Sequence, residues 1–385
     1  MRKYKVISAD GHMEVPIEWA RYVPAKYQDH APKLVRREDG SEVWRMDEWE
    51  RENIANLYCG MRYNEFVGGL AGSYHFPDGS PRPGTGDSSQ RLREQDLDGI
   101  DAEVLYPPVY GPPFLRNMIA RDKDCYLALV RGYNTFLAEF CSRAPDRLIG
   151  NAILPETGID DALAELARCK KLGLPSMSPA TWPNGTGEPK PEIDERFWSA
   201  ALDLDVKISP HLNFGGVIVP VANIKTTEWM AFVAGGIGAV GPVATTIGQL
   251  ILHVFDKFPT LKFYFAETNG GWLAHYFNWL DEYYLRWFNY LDIRKKKLPS
   301  DYIKEHLRFS FIHDRLAMQL RQYTGVEVLM WGSDFPHSVG SFPDSRQVLA
   351  EVFEGVPEDE KYQVLVANPC AFFGLDPEHG ITPTP

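Results

Sequence analysis

The 385 residues are 44% hydrophobic and 13% aromatic, enough to bury a large core in one enlarged domain or two ordinary ones. A formal net charge of -12, with no basic stripe longer than Arg294-Lys295-Lys296-Lys297, argues against nucleic acid as a partner. Five scattered cysteines (Cys59, Cys125, Cys141, Cys169 and Cys370) without Cys-x-x-Cys spacing speak against a disulfide framework or a zinc knuckle, and suit reduced thiols of a cytoplasmic protein.

Met1-Arg2-Lys3 leads directly into a short apolar strand that ends in Asp10-Gly11-His12, so no secretory signal is expected. Residues i and i+2 of a strand project from one face, which lets Asp10 and His12 share a cation. Positions 13–88 read as a long irregular excursion. It holds a hairpin candidate (34–37 and 42–45 around Asp39-Gly40) and a breaker-rich stretch at 77–84, and its length predicts a cap or an oligomer contact. Beyond it, helices and strands alternate: helix 89–98, strand 102–106, helix 122–144, strand 148–154, helix 159–172, strand 176–178, helix 195–204 and a strand ending at His211. Helix 244–258, a strand ending at Glu267, helix 272–291, strand 307–312, helix 315–323, a strand ending at Asp334, and helices 345–353 and 358–372 complete the series. Eight strands alternating with helices predict a parallel sheet closed as a (β/α)8 TIM barrel. We expect one domain over 1–377, with 13–88 inserted in it and 378–385 as a tail. The uncharged but glycine-rich stretch 230–252 reads as a buried loop and helix rather than a membrane span.

In such a barrel functional groups gather at the C-terminal strand ends, which is where Asp10, His12, His211, Glu267 and Asp334 fall. Each alone is an ordinary cap or a satisfied polar group. Together, buried without partners, they would cost a few kcal/mol apiece, and a shared cation removes that cost. Imidazole and carboxylate without thiolate suit Zn, Mn or Fe(II), with zinc the first choice. His337, three residues past Asp334, reads either as an orienting group or proton shuttle, or as a loop histidine capping the next helix. His313 reads more readily as part of a helix start than as a site residue. His253 and His275 read as structural, and Trp272, Phe277, Trp279 and Trp287 as core and packing.

The run Ile7-Ser8-Ala9-Asp10-Gly11-His12-Met13-Glu14-Val15-Pro16, with Trp19 and Tyr22-Val23-Pro24-Ala25-Lys26-Tyr27, resembles the opening of the aminocarboxymuconate-semialdehyde decarboxylase-like branch of the amidohydrolase superfamily. So do Phe258-Pro259-Thr260-Leu261-Lys262, Glu267-Thr268-Asn269-Gly270-Gly271-Trp272, Trp331-Gly332-Ser333-Asp334-Phe335-Pro336-His337 with Phe342-Pro343, and Asn368-Pro369-Cys370-Ala371-Phe372-Phe373-Gly374. The resemblance implies a metal-bearing barrel with ligands at Asp10, His12, His211 and Asp334. It also marks a departure: decarboxylases of the branch usually carry a histidine where this chain has Glu267. A carboxylate there is a general base or a further metal ligand, and a poor proton donor unless its pKa is raised.

The leading expectation is therefore hydrolysis of a small hydrophobic or aromatic molecule, in which a bound divalent metal lowers the pKa of a water from about 15.7 to about 7. Asp334 would move the proton, with Glu267 as second carboxylate and His337 as shuttle. Metal-dependent nonoxidative decarboxylation of an aromatic or enoic acid is the first alternative, and a non-heme iron oxygenase on the same barrel the second. The loops at 106–114 and 213–220 would wall the pocket. No membrane partner is expected, and a homo-oligomer, a dimer, is.

Overall fold

The computed structural model describes residues 3–38, 40–52, 73–108, 111–211, 214, 240–337, 339–379 and 381–384. Strand β1 (Ile7–His12) is buried along its whole length. The excursion after it contains an antiparallel sheet of β2 (Lys33–Arg36), β3 (Glu42–Met46) and β4 (Trp49–Glu52), so the hairpin read from Asp39-Gly40 exists and gains a third strand.

The remaining strands are β5 (Ala102–Tyr106), β6 (Leu148–Ile153), β7 (Ser176–Ser178), β8 (Lys207–Ile208), β9 (Phe263–Phe265), β10 (Leu307–Phe311) and β11 (Leu329–Trp331). With β1 they form one eight-stranded sheet in the order β1-β5-β6-β7-β8-β9-β10-β11, each pair parallel. Strands such as β5 and β6 are buried at every position because helices cover the outer face and side chains fill the interior. Asp122 starts the long Lys123–Cys141 helix by accepting from the Cys125 N–H, one of the orphan donors of its first turn.

Closure is made by the segment after β11. Asp334 N–H donates to the Asp10 carbonyl at 2.8 Å, and His12 N–H donates to the Phe335 carbonyl at 2.7 Å. A buried ion pair, Arg91 to Glu103 at 2.8 Å, reinforces the seam, because Arg91 also donates to the Phe335 carbonyl. The seam leaves no room at Gly332, where an added Cβ would lie 2.4 Å from that of Asp10. Gly332→Ala is therefore expected to cost about 1–3 kcal/mol by overpacking, and to lower metal affinity as well. Denaturant unfolding beside a metal titration checks both; an unchanged midpoint would contradict the tight seam.

Several expectations need correction. Trp279 and Trp287 are not core: both lie on the exposed face of the Leu273–Trp287 helix, while Phe277 is buried as read. His253, within the helix expected over 244–258, is instead the last residue of the Val240–His253 helix and is exposed. A further helix, Pro299–His306, precedes β10. The single helix read over 358–372 is broken by a π turn at Gln363–Ala367 just before Pro369, whose ring nitrogen has no proton for the helical ladder. Among the described residues no helix is long and apolar enough to cross a membrane.

Candidate metal centre

β1 is not a regular strand. Ser8 pairs with Glu103 and Gly11 with Leu105, so three steps on β1 span two on β5, and the extra residue falls in the stretch that carries Asp10. A bulge of this kind re-aims side chains next to a site. Ser8 holds it, its hydroxyl donating to the Asp10 carbonyl at 2.8 Å and accepting from the Ser333 N–H at 2.9 Å. The other contributors lie a few residues past their strands: His211 after β8, Glu267 after β9 and Asp334 after β11. Glu267 and Asp334 both adopt positive φ, +57° and +53°, a conformation costly for a residue with a Cβ and concentrated at functional sites.

The structure brings these side chains together. His12 Nε2 lies 3.7 Å from Asp10 Oδ1 and 3.2 Å from Asp334 Oδ1. His211 Nε2 lies 3.8 Å from Asp10 Oδ1 and 3.5 Å from Glu267 Oε2. Two overlapping trios result, Asp10-His12-His211 and His12-Asp334-His337, each with ligand atoms within 4.8 Å of one another. Glu267 lies beside the first trio and belongs to neither. His12 Nδ1–H donates to the Pro107 carbonyl at 3.2 Å, which leaves the Nε2 lone pair turned toward the carboxylates. Both Asp10 oxygens, Asp334 Oδ2, His12 Nε2 and His211 Nε2 are buried without a hydrogen-bond partner. Acceptors facing acceptors in a dry site repel one another, and a shared cation relieves that repulsion for all of them at once. The donor set thus fits a divalent metal.

Around it, the Tyr106 ring stands edge-on to His211 at 5.2 Å and tilted to His12 at 5.9 Å, with its hydroxyl paired to Ser209. His337 stacks on His12 with centroids 4.0 Å apart. Its Nδ1 is 3.1 Å from Asp334 Oδ1 and its Nε2 is 3.2 Å from Glu14 Oε1. Of its two readings, the orienting one matches these contacts. Glu14, fully buried, is a site residue that the sequence reading missed, although it continues the 10, 12, 14 alternation. Glu14→Gln is expected to lower metal affinity or activity about 10–100-fold, as for other groups that hold a ligand's neighbour in place. A metal titration of the variant checks this, and wild-type affinity with wild-type turnover would contradict it. His313 stays outside, exposed, its Nε2 near the Gly340 carbonyl, while Asp314 beside it caps the next helix. Of the expected pocket walls, residues 109–110 and all of 213–220 except Phe214 lie outside the described residues.

Burial, then the charges of Asp334 and Glu267, raise the Asp10 pKa. Burial and Asp334 raise Glu267 to about 8. Burial works against the charge of Asp334 too, but the charge of His337 and its hydrogen bond hold the Asp334 carboxyl well below the usual range. His337 is raised, burial being outweighed by Asp334 and Glu14, while burial and His12 depress His211. A group whose folded pKa is raised contributes stability below its unfolded value and loses it as pH climbs through the folded one. Glu267 therefore weakens the metal-free chain as pH rises from 4.5 to about 8, and the raised Asp10 and His337 act in the same direction, whereas the depressed Asp334 and His211 have made their full contributions by their ordinary values, 3.8 and 6.5. Metal binds the deprotonated ligands and reverses the trend. Melting curves with metal and with chelator should separate by several degrees, the gap widening with pH; a gap that narrows toward pH 8 would contradict this.

Comparison with known proteins agrees with this architecture. The chain is 26% identical over 303 residues to the 2-amino-3-carboxymuconate-6-semialdehyde decarboxylase of Dictyostelium discoideum, covering 76% of this chain and 77% of that one. The structure resembles an amidohydrolase from Mycobacterium avium subsp. paratuberculosis, with a TM-score of 0.74 and 18% identity over 97% of this chain and 100% of that one. It also resembles the 5-carboxyvanillate decarboxylase of Novosphingobium aromaticivorans, solved with manganese and 4-hydroxy-3-methoxy-5-nitrobenzoic acid, with a TM-score of 0.60 and 19% identity over 74% of this chain and 80% of that one. The family profile described as Amidohydrolase matches residues 73–375, and with the eight-stranded barrel already in view, the chain belongs to the amidohydrolase family.

Proposed function

We propose that this chain is a metal-dependent nonoxidative decarboxylase of a small aromatic or enoic acid. The observation that carries the reading is the convergence of Asp10, His12, His211 and Asp334, with unpartnered donor atoms, at the barrel mouth. The decarboxylase relative and the manganese-bearing decarboxylase structure support this chemistry over hydrolysis. Asp10, His12, His211 and Asp334 would hold a divalent cation, zinc or manganese before iron. Bound there, it would supply a Lewis acid for an anionic substrate.

The chain's own groups do the rest. The bond to the departing carbon dioxide breaks, its electron pair stays on carbon, and that carbon takes a proton from the chain. Glu267, held toward its protonated form by burial, would give it, as a carboxyl with a raised pKa can. His337 sits between Asp334 and Glu14 and keeps the proton inventory of the mouth.

Hydrolysis remains a second reading, favoured by the carboxylate at Glu267 in place of the branch's histidine. One experiment separates the two. The metal-loaded chain is given 5-carboxyvanillate and related aromatic and enoic acids in deuterated, 18O-labelled water. Decarboxylation yields carbon dioxide and one deuterium on the vacated carbon, with no 18O in the organic product; 18O in the product without carbon dioxide would overturn the reading in favour of hydrolysis.

A further inference from the structure

Two tyrosines cross the barrel interior next to the metal centre. Tyr106 ends β5, and its hydroxyl pairs with that of Ser209, the residue that follows β8. In the sheet β6 and β7 lie between those two strands, so the bond runs through the interior rather than along the wall. Tyr264 on β9 donates to the Ala9 carbonyl on β1 at 3.0 Å, and this bond spans β10 and β11 in the same way. Tyr106, Tyr264, Ala9 and Ser209 are all fully buried. Burying a phenol hydroxyl carries a desolvation cost that a phenylalanine of the same shape avoids. A hydroxyl at both positions therefore points to a task beyond filling space.

Each bond ends beside a residue of the metal centre. Tyr106 is followed by Pro107, whose carbonyl accepts from His12 Nδ1–H. Ser209 stands two residues before His211 and is itself fixed on two sides: its N–H donates to the Met177 carbonyl at 2.9 Å, and the Asn151 amide donates to its carbonyl at 2.9 Å. The Tyr106 ring touches both imidazoles, which stand edge to face with centroids 5.0 Å apart. Ala9 precedes Asp10, and the β1–β5 ladder skips both, so the Tyr264 hydroxyl gives the bulge a second anchor besides Ser8. Donor atoms that repel one another keep their spacing only if the chain behind them is fixed, and groups that fix ligands in this way are worth about 10–100-fold in metal affinity. Resting on the metal centre described above, we propose that Tyr106 and Tyr264 are positioning residues, whose hydroxyls cross the barrel to hold His12, His211 and Asp10 at the spacing one cation needs.

Cobalt(II) binding to the full-length chain tests it, since the visible absorption of bound cobalt reports ligand geometry as well as affinity. Tyr106→Phe and Tyr264→Phe keep the rings and remove only the hydroxyls. Each should lower cobalt affinity by about 10-fold or more and alter the absorption bands of the loaded chain, with the circular dichroism unchanged. Ser209→Ala breaks the Tyr106 bond without touching the ring and should reproduce the Tyr106→Phe effect. The two together should lose no more than the larger single loss, because both remove one bond. Tyr4→Phe controls for stability alone: its buried hydroxyl donates to the Asp146 carbonyl at 2.6 Å, beyond the end of β1 opposite His12, and the variant should bind cobalt as the wild type does. A wild type that takes up no cobalt would remove the centre and the proposal with it. A wild type that binds, beside tyrosine variants of unchanged affinity and spectrum, would overturn the proposal and leave the centre standing. Additive losses in the combined Tyr106→Phe and Ser209→Ala variant, or an equal loss in Tyr4→Phe, would overturn it as well.

Discussion

Asp334→Asn is expected to empty the site and abolish turnover while leaving the barrel folded. The substitution keeps the shape and removes the charge that faces His12 Nε2 at 3.2 Å and His337 Nδ1 at 3.1 Å. A carboxylate that touches both imidazoles is a ligand and an anchor at once, so its loss exceeds the 10–100-fold typical of groups that only support a ligand. We expect metal affinity to fall by more than about 100-fold, and kcat/KM by at least as much when metal is not in excess. The loss also removes what holds His337 positively charged, so excess metal should restore only part of the rate. A titration calorimetry curve beside saturating-metal kinetics checks both parts. Wild-type affinity in the variant would exclude Asp334 from the ligand set.

Glu267→Gln should produce the opposite pattern. Metal content should stay close to wild type, because Glu267 lies beside the ligand trios without joining either. The rate should fall by about 10²–10⁴, the range for losing a positioned proton donor or base. Glu267→His, which installs a titratable donor of the kind the branch usually carries, should recover part of that loss. Carbon dioxide release and metal content measured on the same preparations separate the roles. Loss of metal in Glu267→Gln would make Glu267 a ligand and leave the proton to another group.

Much of the site is legible in the residues because its parts are local. Asp10-x-His12 announces itself within one strand, and His211, Glu267 and Asp334 each follow an apolar run that ends where a barrel places its chemistry. Other parts depend on relations that periodicity does not carry. The reading stopped at His12 because Met13 and Glu14 leave β1, yet Glu14 returns to the site through His337, a residue 323 positions away. The bulge before Gly11 is a matter of register between β1 and β5, which one strand alone does not reveal. The β8 and β9 ladders are two and three residues long, shorter than the apolar runs that contain them, because the chain turns away to deliver His211 and Glu267. Trp279 and Trp287 read as core because an aromatic ring on a helix carries no mark of which face is covered; in the fold that face of the helix is exposed.

The central claim is that Asp10, His12, His211 and Asp334 hold one divalent cation in common. Elemental analysis of the purified chain and of His211→Ala, each equilibrated with metal and then dialysed, tests it most directly. The account predicts one equivalent in the wild type and almost none in the variant, with both folded by circular dichroism. A wild type that retains no metal, or a variant that keeps its full equivalent, would contradict it.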